Sequence, residues 1–260
     1  MKKLSFKFLF GYALWKTGLC IFLKFKRHGI FFNFFKSSLS MNMFIDKKFI
    51  LNDINLINNN LYLGNTFIDI GANIGTWSLY ASNIVGVTGS ILSFEPHPKN
   101  FNFLQKNIRL NNFENIQTFN FGLSDSETFL NFTNSFDTMN HVSESNSKNT
   151  ITISVKKLDD FTENLNIIDL IKIDVEGYEL FVLKGARSTL QRTKKIIFES
   201  DTRLQNKYNY NTNDIINFLK NQNFKIYKLI DSKTIFEIPF NYISEQGEDL
   251  IAINMKYAST

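Results

Sequence analysis

Residues 66 to 75 read Thr-Phe-Ile-Asp-Ile-Gly-Ala-Asn-Ile-Gly, and twenty-four residues past Asp69 the chain reads Ser93-Phe-Glu-Pro96. Phe67 to Ile70 is a short apolar run fit for a buried strand. Gly71 and Gly75 then let the backbone turn sharply and approach a ligand closely. Ile74 to Ser82 has helical character, so the unit reads strand, glycine turn, helix. A second strand, Ser90 to Phe94, ends on the acid Glu95. In a nucleotide-binding fold that acid lies where a ribose presents two hydroxyls, and a carboxylate accepts from both.

The turn is Asp-x-Gly-x-x-x-Gly and lacks the middle glycine that lets a pyrophosphate approach. It offers Asp69 instead. An acid there would repel a pyrophosphate but would suit ammonium and sulfonium charges, such as those of S-adenosylmethionine. The plainer alternative is that Asp69 and Asn73 only cap a helix.

The chain resembles the FkbM family of S-adenosylmethionine-dependent methyltransferases. The similarity rests on Asp69 to Gly75, Phe94-Glu-Pro-His-Pro98, Asn107 to Asn111, Gly122-Leu-Ser-Asp125, Leu158-Asp-Asp160, Lys172-Ile-Asp-Val-Glu-Gly177 and Leu183-Lys-Gly-Ala186, in the family's order. His97 departs from the small polar residue more usual there and falls at the expected start of a helix. The resemblance implies a Rossmann-like class I methyltransferase sheet, mostly parallel with an antiparallel last strand. It covers roughly residues 64 to 200; residues 1–60 read as a basic, aromatic-rich helical extension and 61–260 as the catalytic domain.

The rhythm of the chain agrees with an α/β fold. Apolar strands are expected at Thr66 to Ile70, Ser90 to Glu95, Ile116 to Phe121, Ile168 to Asp174 and Lys195 to Glu199, with helical patterns between them. That alternation implies a parallel sheet. Helices are expected at Ile74 to Ile84, Pro98 to Leu110, Tyr178 to Leu183 running into Ala186 to Leu190, and Thr212 to Asn221. Phe224 to Leu229 and Asp249 to Asn254 would finish the sheet. Residues 126–150 are polar and rich in Ser, Asn and Thr, and read as a loop or hairpin insertion before a strand at Ile151 to Val155.

The chemistry-bearing residues gather at expected strand ends. Asp174 and Glu176 end the fourth strand with one residue between them, and Lys172 shares their parity. They are candidates for acceptor binding, for deprotonating a hydroxyl, or for contact with the methionine ammonium or a divalent cation. Glu199 ends the next strand on the same rim. His141, in the variable loop, is a fourth candidate as a general base. Asp69, Gly71, Asn73, Gly75 and Glu95 are the expected cofactor residues, with Gly122 and Asp125 facing the adenine. Trp77 reads as core. The resemblance implies an oxygen acceptor, commonly a sugar hydroxyl. The competing readings are an NAD-dependent oxidoreductase, disfavoured by the missing glycine, and a non-catalytic membrane-associated scaffold.

Composition bounds the rest. The single cysteine, Cys20, rules out an internal disulfide and favours a reducing, cytoplasmic setting. No Cys/His cluster has zinc spacing, and no metal is assigned. The 28 Phe accompany abundant Asn, Ile and Lys, which fits an AT-rich coding sequence better than a functional role. The net charge of +5 is uneven: Met1 to Lys36 holds eight Lys or Arg and no acid. The longest apolar part of that segment, Phe8 to Leu23, is 16 residues and contains Lys16, against about 20 apolar residues for a spanning helix. Three readings stay open: a helix packed on the domain, a peripheral contact with the inner face of an anionic membrane, or a spanning or signal segment. The rest of the chain is near neutral, which disfavours a nucleic-acid partner.

Overall fold

A computed structural model describes residues 6–134, 140–143, 149–231, 234–239, 241–244 and 246–258. The chain opens with helix α1 (Phe6–Thr17), a 3-10 turn (Leu19–Phe22), and the hairpin β1 (Lys24–Arg27) and β2 (Ile30–Asn33). Helices α2 (Ser38–Ile45) and α3 (Leu51–Asn60) follow. Ser37 starts α2 because its side chain accepts from the Ser40 N–H. The extension is thus helical in part and carries a hairpin that no turn motif announced.

The domain then alternates as its sequence predicts. Strand β3 (Thr66–Ile70) leads into α4 (Thr76–Val85), and β4 (Ser90–Phe94) into α5 (Pro98–Asn111). His97 caps α5 with its ring nitrogen on the Lys99 N–H, and Pro98 occupies the first turn, where its missing N–H costs nothing. Strand β5 (Ile116–Phe119) stops earlier than expected. Gly122–Leu123 (β6), Thr128–Thr133 (β7) and Thr150–Lys156 (β8) form a separate three-stranded sheet, so the insertion is a hairpin. Then come α6 (Asp159–Thr162), β9 (Ile168–Ile173), α7 (Glu179–Lys184), α8 (Arg187–Leu190) and β10 (Thr193–Ser200). The chain closes with α9 (Thr202–Gln205), α10 (Thr212–Asn221), β11 (Phe224–Leu229), β12 (Ile235–Glu237) and β13 (Glu248–Asn254). An Asn211–Asp214 capping box starts α10, and Thr212, Ile215, Ile216 and Leu219 form its buried stripe.

The main sheet runs β12-β11-β13-β10-β9-β3-β4-β5. Strands β10, β9, β3, β4 and β5 are parallel, and β13 enters antiparallel between β10 and β11. From β3 the chain proceeds to β4 and β5 on one side, and β9 and β10 lie on the other. The β3–β9 junction is therefore the topological switch point, where ligands of such sheets bind beyond the strand ends.

Side-chain parity divides the two faces. Phe67, Ile91, Leu170, Ile197 and Ile251 point into one core, which also takes Phe25, Phe32, Phe34 and Met43 of the extension. Ile68, Leu92, Ile171, Phe198 and Ala252, each one residue on, point into the other. Phe32 and Phe34 are fully buried, and burying a side chain of this size is worth roughly 1.5–3 kcal/mol. Buried Arg27 ties the hairpin to α2 through the Met43 carbonyl (2.5 Å) and the Phe44 carbonyl, while Tyr80 of α4 donates to the Arg27 carbonyl at 2.7 Å. One face of the sheet is thus roofed by the extension.

Candidate active site

The same parity rule assembles the site. Asp69 pairs in register with Lys172 across β3 and β9, and Glu199 pairs with Asp249 across β10 and β13. Counting in twos, Asp69, Lys172, Asp174, Glu199 and Asp249 all fall on the face that the extension covers. Asp249 lies at the amino end of antiparallel β13 and the other four at or near the carboxyl ends of their strands; Asp69, Lys172 and Asp174 line a cavity of about 290 Å³.

Glycines permit the close approach of the strand ends. Gly71 has φ +83°, and a Cβ there would lie 1.9 Å from the Asp174 carbonyl oxygen. Any side chain would separate the β3 turn from the end of β9. Gly75 begins α4 at φ +92°, and a Cβ would meet Leu104 at 2.5 Å. Asn73, at φ +51°, aims its N–H at Glu95.

At the β4 side, Glu95 is buried and accepts from two backbone N–H groups: Asn73 to Oε2 at 2.8 Å and His97 to Oε1 at 2.9 Å. Burial pushes its carboxyl up to about 7, against the pull of those two donors. Each oxygen keeps a lone pair for a further donor.

Beneath the turn, Asp69 is buried, with Oδ2 accepting from Ser78 Oγ at 2.5 Å and Oδ1 without a hydrogen-bond partner among the described residues. Burial raises its carboxyl above the ordinary range, and the Lys172 cation opposes that rise. Lys172 lies 2.7 Å from Asp174 Oδ2 and 5.3 Å over the Trp77 ring. Burial works against its charge, yet Asp174 and then Asp69 outweigh it and hold the ammonium above its usual pKa. Trp77, expected only as core, is buried but also lines the cavity.

At the β9 side, oxygens of Asp174, Glu176 and Glu199 all come within 4.8 Å of one another. Such a spacing suits a shared proton or a divalent cation. Burial would raise Asp174, but Lys172 holds it below the usual carboxylate range. Burial and then Asp174 push Glu199 to about 9, so it is protonated at neutral pH and donates to Asp174. Glu176 sits at φ +55° and is lifted to about 7, by burial and then by Asp174. Three neighbouring carboxyls therefore divide into one anion, one acid and one group poised near neutrality.

Asp69, Gly71, Asn73, Glu95, Gly122, Asp174 and Glu176 line the cavity; Gly75, Asp125, His141 and Glu199 are not among its lining residues. Asp125 is exposed and accepts from Ser124 and Ser126. His141 is half-buried, with its N–H on Thr133 Oγ1, between the lining residues Asn140 and Val142. The opposite wall was not foreseen: Ser38, Leu39 and Asn42 of α2, Phe49, and Asp53 of α3. Asp53 was open to notice, since it and Asp46 are the only acids among residues 1–60.

These features fit S-adenosylmethionine. Glu95 offers two buried acceptor atoms for ribose hydroxyls, and Gly71 leaves the room that a Cβ would fill. The unpartnered Asp69 oxygen and the Asp174 carboxylate supply negative charge for a ligand carrying two cations.

Several known proteins are similar to this chain. "Methyltransferase 1" of Beauveria bassiana (strain ARSEF 2860) is 32% identical over 142 residues, covering 45% of this chain and 57% of that protein. "Hexuronic acid methyltransferase AglP" of Haloferax volcanii is 30% identical over 133 residues, covering 50% and 54%. The chain spans about half the length of the curated relatives it matches. Among solved structures, a putative rRNA methylase from Clostridium thermocellum superposes with a TM-score of 0.49 at 10% identity, covering 78% of this chain and 94% of that one. The Methyltransferase FkbM domain model matches residues 69–226, from the glycine turn to β11. S-adenosylmethionine is the cofactor of that domain, and the chain belongs to the FkbM methyltransferase family.

Proposed function

We propose that this protein methylates a hydroxyl oxygen, on a sugar of a glycan, glycolipid or polysaccharide precursor. Support comes chiefly from the carboxyls of Asp174, Glu176 and Glu199, whose oxygens gather within 4.8 Å of one another, with Asp174 and Glu176 lining the cavity. An oxygen acceptor needs its proton removed during or after attack, and a base works best with a pKa near the operating pH. Glu176 meets that condition at about 7 and lines the cavity. Asp174, kept ionised by Lys172, is too weak a base for the task but well suited to accept and orient the hydroxyl. Glu199 keeps its proton and steadies Asp174.

Glu95 would hold the ribose, and Asp69 and Asp174 would supply negative charge for the cationic end of the cofactor. Bound there, S-adenosylmethionine supplies a methyl group already activated by its sulfonium. The chain must mainly align that group with the acceptor and exclude water. A saccharide acceptor fits the wall opposite, where Ser38, Asn42, Asp53 and Asn140 offer donors and acceptors for hydroxyls. The relative named a hexuronic acid methyltransferase supports the same class.

The test is methyl transfer from labelled S-adenosylmethionine to uronic acids, neutral hexoses and their lipid-linked forms, with NMR to locate the new methyl group. A methoxy group on a sugar carbon is the expected product. Transfer to nitrogen or carbon, or to none of the saccharides but to another hydroxyl compound, would overturn the corresponding part of the proposal.

A further inference from the structure

The basic, aromatic extension divides into two halves with opposite fates. Phe25, Phe32, Phe34 and Phe35 are buried under the sheet. Leu9, Phe10, Leu19, Ile21 and Phe22 are not: their exposures run from 48% to 77%, the largest at Phe22. These five lie on α1 and on the 3-10 turn that follows it after Gly18 alone. Clustered exposed apolar side chains mark an interaction site more often than scattered ones do.

The charge around that surface selects the partner. Lys16, Lys24, Lys26 and Lys36 are exposed, and among the described residues none of them pairs with a carboxylate. No acid occurs before Asp46. Lys16 lies 5.6 Å over the Tyr12 ring and Lys36 5.6 Å over Trp15, so two of these cations lie against aromatic rings of α1. Among the described residues no helix is long and apolar enough to cross a membrane. Apolar side chains ringed by unpaired cations, on a short helix, fit the boundary between acyl chains and anionic headgroups.

We infer that the outer face of α1 and the Leu19–Phe22 turn dock this protein on an anionic membrane surface. The position has a consequence for the cavity. Gly11 of α1 lies against Phe44 and Met41 of α2, with Phe44 ring atoms 3.0 Å from where a Cβ would stand. Helix α2 also supplies Ser38, Leu39 and Asn42 to the cavity wall. Docking therefore holds that wall one helix away from the lipid. Delivery of a lipid-linked acceptor to it would rest on the methyl-transfer proposal; membrane binding itself does not.

The test is sedimentation of the full chain with vesicles of phosphatidylcholine alone or mixed with phosphatidylglycerol, at low and high salt. The double variant Ile21→Asp/Phe22→Asp changes exposed positions only, and its melting temperature and S-adenosylhomocysteine affinity verify the fold. Wild type should pellet with the anionic vesicles at low salt and be released by salt. The variant should bind them about ten-fold more weakly or less, with cofactor affinity unchanged. Wild type left in the supernatant, equal binding to neutral vesicles, or a variant that pellets like wild type would each overturn the inference. So would a wild-type dimer in solution that the double variant converts to monomer, since a second copy would then cover this face.

Discussion

Lys172 Nζ lies 2.7 Å from Asp174 Oδ2, on the sheet face roofed by the N-terminal extension. The ammonium also answers Asp69 and the ring of Trp77. One buried cation therefore sets the charge state of both ends of the β3–β9 crevice.

Lys172→Met keeps the bulk of the stem and removes the charge. Breaking a buried pair costs about 3–5 kcal/mol, and here roughly 1–3, because the Asp174 side chain is 39% exposed. The pH dependence has a definite sign. Asp174 is held below its ordinary pKa, so its contribution is present above about 4 and is lost as pH falls through the folded value. Denaturant melts should show the widest gap between wild type and variant near neutrality, closing in acid. A gap that stays constant with pH would mean that the lysine acts through packing alone.

Turnover should rise with pH through about 7, as Glu176 loses its proton. Glu95 titrates in the same range, so the rate must be read as kcat at saturating cofactor. Glu176→Gln should flatten the profile and lower kcat about a hundred-fold, with cofactor affinity little changed. An unaltered profile in that variant would remove Glu176 as the base.

Glu199 is lifted to about 9, chiefly by burial and then by Asp174. A carboxyl raised on folding contributes stability below its unfolded pKa and loses it as pH climbs through the folded value. Glu199→Gln fixes the neutral form. The variant should therefore melt with wild type near pH 4 and above it near pH 8. Equal melting temperatures at both values would show that the carboxyl cluster does not raise Glu199.

The wall built by the extension should govern the acceptor. Asn42→Leu and Asp53→Asn each change a group facing the cavity without touching Glu95 or Gly71. KM for the acceptor should rise about ten-fold, the size of one lost hydrogen bond to a buried group. Cofactor affinity should hold. A matching loss of cofactor affinity would move these residues to the other end of the cavity.

The sequence was most readable where burial is complete. β3, β4 and β9 sit under both cores, and their apolar runs marked them to within a residue. The helix Thr212–Asn221 was legible from its amphipathic stripe and caps. β6 was not, because a two-residue strand leaves no periodicity to find. The parity of Asp174 and Lys172 was visible; that Asp53 approaches the same lysine was not, since no local pattern reports which helix roofs a sheet. The aromatic extension read as one segment, whereas tertiary packing splits it between core and surface.

The most direct test of the account is calorimetric titration of S-adenosylhomocysteine into wild type and Glu95→Ala. The account predicts a one-site isotherm for wild type. It predicts a loss of about ten- to a hundred-fold in the variant, the worth of roughly 1.5–3 kcal/mol in charge-assisted hydrogen bonds, with the fold intact by circular dichroism. No binding by wild type, binding of NAD in its place, or an isotherm unchanged by the substitution would contradict it.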